Sequence, residues 1–440
     1  MGEGLRSALE ERVVTAVRDG EEELVALVSD LVALDTTARN VGDPPRQEVE
    51  LQELLERRLE AAGAETDLWK PEPTGTGNRF VPDGLDFAGR PQLAARLRGA
   101  GGGRSLLLNG HIDAVSAEPV DRWTSPPLKP EVRGGELFGR GACDMKGGLA
   151  GMLFALETVK RLGIELAGDV VWASNTDEES SGAGSYACAA RGVRADAGLC
   201  AEPTAFDVWV ACRGGVYFTV RTAGRAGHAE LWHPHWRDGG PVNAIEKMGI
   251  VLEAVRALRD DWAVRDVNQH PYLRAPSILP TLISGGEWEV TYPSACRTVL
   301  AVQYLPGRVR GDEGGLPGVL EEVAAWVKAA TDRDDWLAEN PPEWEWDCDI
   351  VPAEVPDDHP IVSGTLQAAA DIGRSGKIDG LDSWHDAAVF TRVAGTPTIS
   401  FGPGDLRRAH AVDECVPVAD LVDHAAAVAL MLLRWCGVRE

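Results

Sequence analysis

Leu106-Leu107-Leu108-Asn109-Gly110-His111-Ile112-Asp113 is the stretch on which the fold turns. Its leucines read as an apolar strand. The strand ends in a glycine and then presents an imidazole and a carboxylate two residues apart. In open α/β sheets, ligands bind beyond the carboxyl ends of strands. One short stretch therefore supplies both a core element and a candidate site.

Downstream, the spacing predicts a helix from Gly148 to Leu162, a strand from Asp169 to Ser174 and a short buried strand from Ala197 to Cys200. This alternation argues an α/β layered domain with helices on a largely parallel sheet. Upstream, Glu22 to Leu34 and Val49 to Ala62 carry apolar residues at helical spacing, and a Pro/Gly-rich connection follows at Pro71 to Gly77. The glycine cluster Gly99 to Gly103 reads as a hairpin loop between strands at Gln92 to Leu97 and Ser105 to Leu108. After Gly214 the order becomes β-α-β-β-α-β, that of a ferredoxin-like α+β unit. From Pro360 the α/β pattern returns, with a last helix at Val418 to Trp435. The expected organisation is a catalytic domain in two parts, 1–214 and 355–440, interrupted by an inserted domain at 215–354.

The chain has 440 residues, with 43 Lys and Arg against 69 Asp and Glu, and a formal charge of −26. Such a surface repels phosphate backbones, which argues against nucleic acid as a partner. The Ala425 to Leu433 run has nine residues where a bilayer needs about 20, so no membrane span is expected. The N-terminal segment lacks the apolar core of a secretory signal. Eight scattered cysteines without a CxxC pair suit reduced thiols in a cytoplasm.

Five segments carry the candidate chemistry. In the first, His111 is a candidate metal ligand whose second ring nitrogen Asp113 would fix. Gly139 to Gly148 places Asp144 in a glycine-rich turn before a helix. It lacks the phosphate-loop order, and its carboxylate suits a cation better than an anion. Asn175 to Gly182 sets Asp177, Glu178 and Glu179 side by side after a strand. An isolated acidic triplet is most simply a solvated loop; the functional alternative is one Glu on a metal and its neighbour free as general base. Cys200 to Thr204 and Arg408 to Glu414 each add one donor, Glu202 and His410. His111, Asp144, Glu179, Glu202 and His410 together offer two imidazoles and three carboxylates, a set suited to zinc or a related first-row metal. Five ligands for two divalent ions imply one bridging carboxylate.

The ordered set GHIDAV, GRGACDMKGG, TDEESSG, AEPT and AHAVDE resembles the M20 metallohydrolases, the family of acetylornithine deacetylase, succinyl-diaminopimelate desuccinylase, aminoacylases and carboxypeptidase G. The resemblance implies a zinc-exopeptidase-like catalytic domain with two divalent ions, zinc first and cobalt or manganese as alternatives. It implies that Asp144 bridges them, with His111 and Glu202 on one ion and Glu179 and His410 on the other. Glu178 would be the general base and Asp113 would orient His111. The inserted domain would be a lid through which the chain forms a homodimer. His228, in Gly227-His228-Ala229, would then stabilise the oxyanion of the neighbouring site. His233-Pro234-His235 has no carboxylate or thiol set around it and is not read as a second metal site.

The departures from the family concern substrate choice. Gln303 stands where an Arg for the substrate carboxylate is expected, and Ala388 replaces another Arg in Ser383 to Ala388. Gln303, Glu289 and Asp386 are the candidate substrate contacts, and Arg213, Arg274 or Arg297 could compensate for the missing fork. The expected activity is hydrolysis of an amide in an N-acyl amino acid or similar small molecule. A dipeptidase or carboxypeptidase with the same machinery, using Glu289 for a free amino group, is the alternative. A non-catalytic relative would be expected to have lost Glu178 or a ligand, and neither is missing.

Overall fold

The computed structural model describes residues 7–39, 43–72, 84–308 and 316–439. The connection expected at 71–77 falls largely outside them. The chain divides into two compact units, one of residues 1–211, 353–380 and 385–440, the other of residues 212–352 and 381–384. The short segment 381–384 thus belongs to the inserted unit and not, as expected from the sequence, to the second catalytic part.

The first unit is built on a nine-stranded sheet. Leu106–His111 lies at its centre, parallel to Val170–Asn175 on one side and to Ala197–Cys200 on the other. The chain leaves Leu106–His111 through helix Gly147–Arg161 to reach one neighbour, then through helix Ala183–Ala190 to reach the opposite one. The strand end at His111 is therefore the point where the winding reverses, the place where ligands of such sheets bind. Thr398–Ser400 extends the parallel core beside Ala197–Cys200, whereas Glu65–Trp69, Gln92–Leu97 and Val208–Cys212 join antiparallel.

The glycine cluster is not a hairpin. Gln92–Leu97 and Leu106–His111 do not pair; Val170–Asn175 lies between them, antiparallel to the first and parallel to the second. The glycines serve close backbone approach instead. A Cβ on Gly103 would lie 1.9 Å from the Cys436 carbonyl oxygen, and one on Gly99 would lie 2.4 Å from that of Gly168. Ala100 and Gly101 donate their N–H groups to the carbonyls of Leu166 and Ala167, both at 2.8 Å.

The last helix, Val418–Cys436, is buried on nearly every side and packs against helices Ala8–Asp19, Gly147–Arg161 and Pro360–Asp371. This explains the apolar run at its end; among the described residues no helix is long and apolar enough to cross a membrane. His424 of this helix is fully buried, and burial lowers its pKa to about 3. The unfolded chain binds a proton at His424 below about pH 6.5 while the folded chain does not, so folding loses stability as pH falls from there. The loss is up to about 1.4 kcal/mol per pH unit. In His424→Leu the urea midpoint should therefore decline less steeply than in the native chain between pH 6.5 and 4.5. Equal slopes would remove this residue from the acid response.

The inserted unit holds a four-stranded antiparallel sheet in the order Ser277–Gly285, Ala295–Tyr304, Gly214–Ala223, Glu343–Ile350. Helices Ala244–Val264 and Leu316–Thr331 complete a β-α-β-β-α-β unit and pack on one another.

Candidate metal centre

Strand register brings the first donors level with one another. His111 lies opposite Asn175, so the turn that follows Asn175 starts beside His111. Asn109 lies opposite Cys200, and the Ala201 N–H donates to the Asn109 carbonyl at 3.0 Å, which sets Glu202 at the same height. Asp144 comes from the turn before helix Gly147–Arg161. That helix starts hard against the Glu202 segment: a Cβ on Gly148 would lie 2.4 Å from the Ala201 carbonyl oxygen. His410 comes from a loop near the C-terminus, in a left-handed conformation with φ 61°.

The five residues meet in two groups. Ligand atoms of His111, Asp144 and Glu202 lie within 4.8 Å of one another, as do those of Asp144, Glu179 and His410. Asp144 is common to both. Its Oδ1 is 3.1 Å from His111 Nε2 and its Oδ2 is 3.4 Å from His410 Nε2. Glu179 reaches His410 Nε2 at 3.2 Å. Glu178 belongs to neither group; its Oε2 is 4.0 Å from His111 Nε2. The acidic triplet is therefore not a solvated loop.

Asp113 acts differently from the sequence expectation. His111 Nδ1 is held by the main-chain carbonyl of Asp113 at 2.9 Å, while the carboxylate is 3.7 Å away. That carboxylate instead accepts the N–H groups of Glu178 at 3.3 Å and Glu179 at 3.1 Å. It fixes the turn that aims the two glutamates.

Electrostatics favour cations here. Burial opposes charge on Asp144, but hydrogen bonds to His111 and His410 overcome it and hold its pKa well below the usual range. Hydrogen bonds to Asp144 and Glu179 raise His410 to about 10. Burial pushes Glu202 and Glu178 well above the ordinary carboxylate range. Asp144 adds to this at Glu202, and the Glu202 and Asp386 charges add to it at Glu178. Glu202 Oε1 is buried with no hydrogen-bond partner among the described residues. An orphaned acceptor among crowded carboxylates and imidazoles is what a pair of divalent ions would satisfy, so the donor set fits the metal.

Two supports are not read as such in the sequence, where Asp386 is expected to contact substrate. Glu414 is buried and accepts the N–H groups of Cys143 at 2.9 Å and Asp144 at 3.1 Å, while Arg140 neutralises it. Asn109 donates to Asn175 at 2.8 Å, and Asn175 in turn donates to Asp386. Asp386 is fully buried, and burial raises its pKa to about 6. It stands behind the donors and not on an open surface. Glu414 had a signal, the second of two adjacent acids, Asp413 and Glu414, that end the last motif, with the cation Arg140 in the second motif. Removing one partner of a buried pair costs about 3–5 kcal/mol. Glu414→Gln should therefore lower the melting temperature clearly, with part of the loss recovered in Glu414→Gln/Arg140→Met; an unchanged melting temperature would contradict this role.

The remaining candidates lie in the inserted unit. His228 and Glu289 are exposed. Gln303 is half-buried and its Oε1 accepts from Arg213 at 2.7 Å. Arg274 pairs with Asp382, and Arg297 donates to Thr219.

The sequence pattern of peptidase family M20/M25/M40 matches residues 107–434, which span all five donors. The chain belongs to that family. It is an M20-type metal-dependent hydrolase. It is 28% identical over 457 residues to N-formyl-4-amino-5-aminomethyl-2-methylpyrimidine deformylase of Halalkalibacterium halodurans, covering 98% of each chain. It is 29% identical to acetylornithine deacetylase of Myxococcus xanthus, covering 94% of this chain and 98% of that one. Among solved structures, the aminopeptidase PepT of Bacillus cereus superposes with a TM-score of 0.70 at 19% identity, covering 94% of this chain and 98% of that one.

Proposed function

We propose that this M20 hydrolase is a deacylase that removes a short acyl group from the amine of a small molecule. The observation that carries the reading is the pair of donor groups sharing Asp144, with Glu178 beside them and free of both. Two divalent ions, zinc first with cobalt or manganese as substitutes, would be held by His111, Asp144 and Glu202 and by Asp144, Glu179 and His410. When bound, they supply Lewis-acid activation of water and of the scissile carbonyl. Glu178 takes the proton from the attacking water and delivers it to the departing amine, two transfers suited to one carboxylate in a largely buried site. Asp113 holds the Glu178 N–H and so fixes where that carboxylate stands. His228 is the proposed donor to the oxyanion.

Deacylation is favoured over peptide cleavage by the two relatives that match nearly end to end, a deformylase and a deacetylase. The deformylase's named substrate bears its formamide on an aminomethyl group and has no carboxylate. Gln303 and Ala388, standing where carboxylate-binding arginines are expected, suit such a substrate. The inserted unit is the proposed dimer surface. Its edge strand Ser277–Gly285 exposes Leu279, Leu282 and Ile283, and such edges are normally covered or charged. Sedimentation should give a dimer.

The test is amine release by the zinc- or cobalt-loaded chain from N-formyl and N-acetyl amines, N-acyl amino acids and dipeptides. The reading expects turnover of the acylated amines and acylated amino acids and none of the dipeptides. Turnover of dipeptides alone would replace it with a peptidase.

A further inference from the structure

The turn that carries Glu178 and Glu179 is held by two sets of side chains. The first is the Asp113 carboxylate, which accepts the N–H groups of both glutamates. The second comes from the segment Arg90-Pro91-Gln92, at the start of strand Gln92–Leu97. Arg90 Nη1 donates to the Asp177 carboxylate, and both side chains are buried. Gln92 is fully buried; it accepts the Thr176 N–H at 3.0 Å and donates to the Thr176 hydroxyl at 2.8 Å. Two side chains of one short segment thus hold the two residues that precede Glu178.

Asp177 is where this hold takes effect. Its backbone is left-handed, with φ 72°, a conformation that residues other than glycine seldom adopt. Its carbonyl accepts the N–H groups of Ser181 at 3.0 Å and Gly182 at 2.7 Å, and its carboxylate accepts the Ser181 hydroxyl, so the turn closes on this one residue. The Asp177 dihedrals therefore set the direction in which Glu178 and Glu179 leave the strand. Arg90 is anchored in its turn. Its Nη2 donates to the Arg39 carbonyl at 3.2 Å, and Arg39 pairs with buried Glu48 at 3.1 Å, at the start of helix Glu48–Ala61. Gln52 of that helix donates to the Pro91 carbonyl at 3.1 Å and to that of Ser174 at 2.8 Å.

A buried ion pair that served stability alone could be exchanged for neutral side chains at little cost. Side chains that orient metal ligands from behind are instead worth about 10–100-fold in metal affinity or activity. We propose that Arg90 is a positioning residue: through Asp177 it fixes the backbone from which Glu178 acts as base and Glu179 reaches the metal. The inference rests on the two-ion reading with Glu178 as base, and it adds a residue to which that reading assigns no part.

The test variant is Arg90→Met/Asp177→Asn. Arg90→Met alone would strand a buried carboxylate and unsettle the fold, whereas the double variant leaves neither charge unpaired, and Asn tolerates the left-handed backbone. Metal-stripped chains are titrated with Zn²⁺ by calorimetry, with Glu179→Gln alongside. The native chain should bind two ions, and Glu179→Gln should weaken one of them. The double variant should melt like the native chain, weaken one ion by about 10–100-fold as Glu179→Gln does, and keep the other. At saturating zinc its kcat on a cleaved N-acyl amine should fall by about tenfold or more, with KM near native. Unchanged zinc affinities, or an unchanged kcat, would overturn the inference and leave a plain ion pair. A double variant that melts far below the native chain would also overturn it, because the pair would then serve the fold. Fewer than two ions in the native chain, or a Glu179→Gln that weakens neither, would remove the two-ion reading and this inference with it.

Discussion

Glu178→Gln lowers kcat by about 10²–10⁴-fold, the usual worth of a positioned general base, and leaves KM and bound metal near native. The amide keeps the shape of the side chain but accepts no proton from water. Glu178 sits outside both donor groups, 4.0 Å from His111, so its loss removes no ligand. The check pairs steady-state kinetics on a cleaved N-acyl amine with elemental analysis of the same sample. A fall below tenfold would take the base role from Glu178. A large fall accompanied by lost metal would make it a ligand.

Asp144→Ala abolishes measurable turnover and takes both ions, not one. Asp144 is the only residue common to the two donor groups, so its loss leaves two ligands at each. His410→Ala serves as the contrast, because the group of His111, Asp144 and Glu202 remains whole and should keep one ion. Elemental analysis after dialysis should give fewer than one ion per chain for Asp144→Ala and about one for His410→Ala. Two ions retained by Asp144→Ala would refute the shared carboxylate.

The parts of this arrangement legible in the sequence are those encoded locally. His111 closes one apolar strand and Glu178, Glu179 and Glu202 lie just beyond the ends of two others, and strand ends of an α/β sheet converge in space whatever their separation in the chain. Asp144 and His410 gained meaning only from the set to which they belong. What could not be read depends on long-range pairing. Gly99 to Gly103 carry the signature of a tight turn, yet a strand some 70 residues later lies between the strands they join. The short strands Glu131–Arg133, Glu136–Phe138 and Cys415–Pro417 are too brief for an alternation to register. Asn109, Asn175 and Glu414 are buried polar residues, and in a sequence these look like surface ones, while Asp386, expected to contact substrate, is fully buried and accepts from Asn175. Asp113 shows a subtler limit. The sequence places it beside His111, but only in the folded chain does its carbonyl hold the ring while its carboxylate holds the next turn.

Calorimetric titration of the metal-stripped chain with Zn²⁺ tests the central claim most directly. The two-ion site predicts a stoichiometry of two per chain, with hydrolysis of the cleaved amide appearing as the sites fill. It also predicts that His111→Ala and His410→Ala each lose one equivalent. A native stoichiometry of one or none, or two equivalents that persist in both variants, would contradict it.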